Sequence, residues 1–222
     1  MMKKLLMSIA AVAVCSTAAF AEDTDVSSLQ NVLYFDAPVA TIGRTANLSV
    51  QMKGSETVQS IGAYVTLPTG VTAAGASLGA LVPEQGDAAY ADEISTNTVE
   101  GVARVALLGA TGKALTAANG EAFKLAVTVS SDATPGEQPV VISNHELCTT
   151  DSKATLVDTE VTSTLKIVLL GDVNADGNVN IGDANTVISV SRGGSAVGEP
   201  DVNDDKSVNI GDVNAVINIV RQ

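Results

Sequence analysis

A chain of 222 residues with 25 acidic and 12 basic side chains has room for one sandwich-sized domain and a small second module. Its net charge of −13 repels nucleic acid and anionic membrane surfaces, which argues against both as partners, and favours cations. His145 is the sole histidine, so most hydrolytic and zinc chemistries are hard to build, and no Gly-x-Ser-x-Gly, His-Glu-x-x-His or phosphate-loop pattern occurs. The chain is expected not to be an enzyme.

Residues 1–21 read as an export signal. Lys3 and Lys4 open it, Leu5 to Val14 form an apolar stretch too short to span a bilayer, and Ala19-Phe20-Ala21 gives a small-x-small cleavage pattern. A lipid anchor on Cys15 would need a small residue before it, and Val14 stands there. The mature chain is expected in the periplasm, on the cell surface or secreted. Loss of the two leader lysines takes the net charge from −13 to −15 and leaves Cys148 as the one cysteine, so no intramolecular disulfide can form. No second apolar run is long enough for a membrane span. Five aromatic residues remain (Tyr34, Phe35, Tyr64, Tyr90 and Phe123), few for a sugar-binding platform.

From Val32 to about Leu169 the hydrophobic period is two. Leu48, Val50 and Met52 share one strand face, as do Ile61, Ala63 and Val65, then Phe123, Leu125, Val127 and Val129, and finally Leu165, Ile167 and Leu169. Val102 to Leu108 is more continuous and is expected to be a strand buried on both faces. Val71 to Asn97 is rich in Ala and Gly; it is read as a short strand near Leu78–Val82 and a long loop carrying Asp92-Glu93. Turns fall at Lys53-Gly54-Ser55, Pro68-Thr69-Gly70, Gly109 to Gly112, Asn119-Gly120 and Thr134-Pro135-Gly136. Short strands with regular turns predict a two-sheet sandwich over 22–169. His145 and Cys148 follow the Val140–Ile142 strand and, three apart, fall on opposite faces. A buried thiol and a surface imidazole are expected rather than a nucleophile–base pair.

Near residue 170 the texture changes without a Pro- or Ser-rich linker, so 170–222 is read as a second module held in a fixed relation to the first. Asp172-Val-Asn-Ala-Asp-Gly-Asn-Val-Asn-Ile-Gly-Asp183 returns twenty-nine residues later as Asp201-Val-Asn-Asp-Asp-Lys-Ser-Val-Asn-Ile-Gly-Asp212. Each twelve-residue loop has acids or amides at positions 1, 3, 5, 9 and 12. Ca2+ takes six to eight hard oxygen ligands, and a chain wrapping one ion turns alternate residues inward. Two Ca2+ are therefore expected. The first would be held by Asp172, Asn174, Asp176, the Asn178 carbonyl and Asp183, with Asn180 acting through water. The second would be held by Asp201, Asn203, Asp205, the Ser207 carbonyl and Asp212, with Asn209 in the water-bridged place. Lys206 stands where Gly177 supplies a left-handed turn, so a weaker or more strained second site is expected. Short helices follow each loop, with Ala184, Val187, Ile188 and Ser191 matched by Val213, Val216, Ile217 and Val220.

Gly171 to Gln222 resembles a type I dockerin, a family with two EF-hand-like calcium loops, each followed by a helix and closed by Asp. The resemblance implies that loop positions 10 and 11, here Ile181-Gly182 and Ile210-Gly211, read a cohesin partner. Their duplication implies near-twofold symmetry and binding in either of two orientations. Gly43-Arg44-Thr45-Ala46-Asn47-Leu48-Ser49-Val50, Arg104-Val-Ala-Leu-Leu-Gly, Gly120-Glu-Ala-Phe-Lys-Leu and Pro135-Gly136 resemble the cohesin and bacterial carbohydrate-binding sandwich group. The fold expected is mainly β: a cohesin-like two-sheet β-sandwich of jelly-roll type, followed by a small α-helical dockerin. The function expected is a calcium-ordered protein–protein interaction module, assembling a cell-surface or polysaccharide-related complex. Its partner would be a cohesin-type domain on another protein or on a neighbouring copy of this chain. The alternatives are a carbohydrate-binding module carried by a dockerin, with polysaccharide as ligand, and a calcium-stabilised structural or adhesion protein.

Overall fold

The computed structural model describes residues 22–82, 94–99, 101–108, 114–149 and 154–222. The expected leader, Asp92-Glu93 and the Gly109–Gly112 turn lie outside them. Among the described residues, eleven strands form two sheets. One has the order β1 (Val32–Phe35), β3 (Thr45–Lys53), β8 (Asn119–Val129), β5 (Val71–Leu78). The other runs β2 (Val39–Thr41), β11 (Val161–Val168), β9 (Gly136–Cys148), β4 (Ser60–Thr66), β7 (Val102–Leu108), β6 (Ile94–Val99), with β10 (Ala154–Val157) also on β9.

Alternation builds the space between the sheets. Leu48, Val50 and Met52 point inward from β3 and meet Ile61, Ala63 and Val65 of β4 and Phe123, Leu125 and Val127 of β8 in one core. Fully burying a side chain such as Phe123 or Leu125 contributes roughly 1.5–3 kcal/mol, and such burial holds the two sheets together.

A second core belongs to the tail. Helix α1 (Ile181–Val190) packs on α2 (Ile210–Val220) through Val187 and Val216, joined by Val173, Ala184, Val202 and Val213. Both helices are short and rich in β-branched residues, so each is marginal alone and depends on the other. Only a few residues separate the end of β11 at Val168 from the first loop. Gly171, at φ 96°, makes the turn, and a Cβ there would meet Val179 and Ile219 at 3.0 Å. Among the described residues no helix is long and apolar enough to cross a membrane.

Four expectations are corrected. β7 is buried on one face only: Ala103, Val105 and Leu107 point inward, while Arg104 and Leu108 are exposed. The last strand ends at Val168, and Leu169 lies outside it at 37 % exposure. The strand sought near Leu78–Val82 is β5, ending at Leu78, with Leu81 and Val82 buried beyond it. His145 and Cys148 lie inside β9 with their faces exchanged: the imidazole is fully buried and the thiol only partly so. The cause is a bulge. Gly62 pairs with Glu146 and Tyr64 with Ser143, so two residues of β9 oppose Ala63, and Asn144 takes φ 50° to make room. Inward positions in β9 thus step from Val140 and Ile142 to His145 and Leu147.

Candidate functional site

The two acidic loops fold by one plan. In the first, the Asp172 carboxylate accepts from the amides of Asp176 and Gly177, both at 3.0 Å. Asp183 accepts from Asn174 N at 3.0 Å and Asn180 N at 2.9 Å, and Asp176 accepts from Asn178 N at 2.9 Å. In the second, Asp201 accepts from the amides of Asp205 and Lys206 at 3.1 and 2.9 Å. Asp212 accepts from Asn203 N at 3.1 Å and Asn209 N at 2.9 Å, and Asp205 from Ser207 N at 2.9 Å. Each of these bonds in one loop has its counterpart twenty-nine residues on. Asn180 and Asn209 cap the helices, each accepting at 2.7 Å from the glycine two residues later, and Asp183 and Asp212 complete capping boxes.

Backbone conformation repeats as well. Position 4 is left-handed in both loops, at φ 58° in Ala175 and 61° in Asp204. So is position 6, at 91° in Gly177 and 71° in Lys206. Lys206 therefore makes the glycine turn with a Cβ in a region that side chains disfavour.

These contacts draw acids together. Asp172, Asp183 and Asp212 are buried, and the carboxylate oxygens of Asp201, Asp205 and Asp212 lie within 4.8 Å of one another. Burial pushes the Asp172 carboxyl above its usual range; the amides of Gly177 and Asp176 work against this, and the charges of Asp183 and Asp176 add to it. Asp176, exposed, is held below that range by its hydrogen bond from the Asn174 side chain and then by the Asn178 amide. The salt bridges of the described tail end on Asp204, from Arg44 at 3.0 Å and from Lys206, and not on these grouped acids. Each oxygen that takes one amide hydrogen keeps a second acceptor site. The donor set is all oxygen and carries three carboxylates per loop, which fits a hard divalent cation.

The four residues expected to read a partner divide in two. Ile181 and Ile210 open their helices at 66 % and 68 % exposure. Gly182 and Gly211 are half-buried, and a Cβ would meet Asn180 Oδ1 at 2.9 Å in the first and Asn203 Nδ2 at 2.8 Å in the second. Those glycines leave room for the loop amides.

A groove of about 430 Å³ lies on the outward face of β4, β7 and β9, where β10 joins β9. Tyr64, Arg104, Leu108, Asn144, Glu146 and Leu156 line it, and the Arg104 guanidinium sits 5.7 Å from the centre of the Tyr64 ring.

No protein-family model matches the sequence, and no curated protein does. Solved structures do. A chain of a CaDoc0917–CaCohA2 complex superposes with a TM-score of 0.50 at 15 % identity, covering 61 % of this chain and 97 % of that one. A chain of the Coh-OlpA–Doc918 complex, a type I cohesin–dockerin complex from Clostridium thermocellum, gives 0.47 at 18 %, covering 61 % and 96 %. A non-cellulosomal cohesin from the hyperthermophilic archaeon Archaeoglobus fulgidus gives 0.46 at 14 %, covering 61 % and 89 %. The sandwich is cohesin-like. At these identities the likeness is one of fold.

The cohesin-like sandwich also touches the loops through two residues that sequence reasoning did not single out. Lys166 Nζ of β11 donates to the Ala175 carbonyl, and Arg44 Nη2 donates to the Val202 carbonyl at 2.7 Å. Arg44 had no local signal, because 158 residues separate it from Val202; Lys166 lies nine residues before Ala175 but reads only as an outward position of the last strand.

Proposed function

We propose that this chain is an exported, non-catalytic protein–protein interaction module. Its tail is a dockerin-like pair of loops, each ordered by one Ca2+, and it docks onto a cohesin-type sandwich on another chain. The observation that carries this reading is the duplication: one hydrogen-bond network appears twice at a fixed offset, and each copy ends in an exposed isoleucine at the start of a helix. Asp172, Asn174, Asp176, the Asn178 carbonyl and Asp183 hold one ion. Asp201, Asn203, Asp205, the Ser207 carbonyl and Asp212 hold the other, and Asn180 and Asn209 act through water. The bound ion supplies positive charge where buried carboxylates otherwise repel, so the loops are most stable when loaded.

The test uses the full chain, immobilised and probed with a panel of cohesin-type domains and with a second copy of itself. Binding is expected in calcium and lost in EDTA. Because the two copies share one plan and present the same isoleucine, Ile181→Asp and Ile210→Asp singly should each cost less than about tenfold, since the partner can use the other copy. The double variant should lose at least about a hundredfold, the scale of two apolar contacts replaced by buried charge. Equal losses in the single and double variants would defeat the two-orientation reading, and no binding to any cohesin-type domain in calcium would defeat the docking.

The groove supports a second reading, a carbohydrate-binding module carried by the same tail. Tyr64 offers one ring face beside Asn144 and Glu146. Retardation in gels containing plant or host polysaccharides, abolished by Tyr64→Ala, would favour it.

A further inference from the structure

The cohesin-like sandwich reaches both loops at the same place. In each loop the residue at position 4 has a left-handed backbone although it is not glycine, Ala175 at φ 58° and Asp204 at 61°. This residue turns the chain between positions 3 and 5 in a conformation that side chains disfavour; the bonds of the next amide to positions 1 and 3 hold it from inside the loop, and a contact from the sandwich holds it from outside. In the first loop, Lys166 Nζ donates to the Ala175 carbonyl. In the second, Arg44 Nη1 pairs with the Asp204 carboxylate at 3.0 Å while Nη2 donates to the Val202 carbonyl at 2.7 Å. Both cations stand on fixed backbone. Lys166 lies within β11, in register with Val39 of β2 on one side and Glu137 of β9 on the other. Arg44 sits in the β2–β3 turn, its amide donating to the Thr41 carbonyl at 3.1 Å and its carbonyl accepting from Val129 N at 2.9 Å. These contacts go to backbone carbonyls and to Asp204, leaving the grouped acids of each loop to another cation.

We propose that Lys166 and Arg44 are positioning residues, one for each loop, through which the folded sandwich sets the cation affinity of the tail. This rests on the calcium reading of the loops given above. Each holds its position-4 residue in place before the ion arrives. The two loops therefore respond separately: Lys166 governs the first and Arg44 the second.

The test compares the full-length protein with Lys166→Met and Arg44→Met. Amide hydrogen exchange is measured first in EDTA, at Asp176 and Gly177 in one loop and Asp205 and Lys206 in the other. Lys166→Met should speed exchange at least about tenfold in the first loop and leave the second unchanged, and Arg44→Met should do the reverse. Lys166→Arg, which keeps a donor, should restore slow exchange. Calorimetric titration with calcium should then show one of two sites weakened about fivefold in each Met variant, the scale of one hydrogen bond. Unchanged exchange in both variants, or equal acceleration of both loops by either one, overturns the proposal. A wild-type chain that takes up no calcium would overturn the calcium reading, and with it the affinity claim. The exchange result in EDTA would still show separately whether the two contacts hold the loops.

Discussion

Asp183→Ala is expected to unfold the tail and leave the sandwich folded. Asp183 is fully buried, and its two oxygens accept from Asn174 N and Asn180 N while closing the capping box of α1. Removing the carboxylate strands two backbone donors, about 3 kcal/mol in all. The tail core rests chiefly on four valines and Ala184, with Val213 at its margin, so a loss of that size is a large part of its stability. Asp183→Asn separates the two roles. The amide oxygen keeps one acceptor and much of the fold, while loss of the charge costs cation affinity. Heteronuclear NMR in calcium and in EDTA reads both: tail signals should collapse in the Ala variant and sandwich signals persist. A tail that stays folded in the Ala variant, with calcium affinity intact, would remove Asp183 from both roles.

His145→Leu is expected to destabilise the sandwich by about 3 kcal/mol. Leu33 N donates to His145 Nδ1 at 3.0 Å, so Nε2 carries the hydrogen and donates to the Thr159 carbonyl at 3.1 Å. Leucine fills the space and leaves both backbone groups without their partner. The same site gives a pH dependence. Burial lowers the imidazole pKa from its ordinary 6.5, against the Thr159 carbonyl on Nε2 and then the Ile142 carbonyl, which favour the charged ring. The unfolded chain therefore binds the proton first as pH falls below about 6.5. Stability is lost from there downward, by at most about 1.4 kcal/mol per pH unit until the folded-state pKa is reached, and this group contributes no slope above about 6.5 or below that folded-state pKa. Urea midpoints at pH 7.5 and 5.0 should fall for the wild type more than for His145→Gln. Parallel falls would mean that carboxylates alone carry the acid sensitivity, since the chain has no other histidine.

His145 also marks where legibility ended. The inward faces of β3, β4 and β8 could be read residue by residue because each strand keeps strict alternation across its core positions. β9 does not, and nothing in Ser143-Asn144-His145 announces that Asn144 will turn left-handed and shift the faces by one. β7 was misread for the opposite reason. Val102 to Leu108 is apolar enough for two buried faces, but the sheet covers one, leaving Leu108 to the groove. The repeat and the helix after each of its copies were legible, since they depend on residues close in sequence. Arg44 was not, because only the packing of one module on the other brings it to Asp204; Lys166 is near Ala175 in sequence, but alternation in β11 marks it only as an outward side chain.

The parallel pairing of β11 with β2, through Val39 with Lys166, Ala40 with Ile167 and Thr41 with Val168, has a mechanical consequence. The tail joins β11 almost without slack, so a load on the tail enters that strand at its C-terminal end. A load from the start of the sandwich meets β1 first, and reaches β2 at its N-terminal end once β1 has parted from β3. Opposite pulls on parallel strands slide one along the other, and their hydrogen bonds share the strain together instead of opening one by one. Beyond the release of β1, a sandwich stretched between its ends is thus loaded in shear at this pair, and single-molecule pulling that found a low-force, peeling rupture there would contradict it.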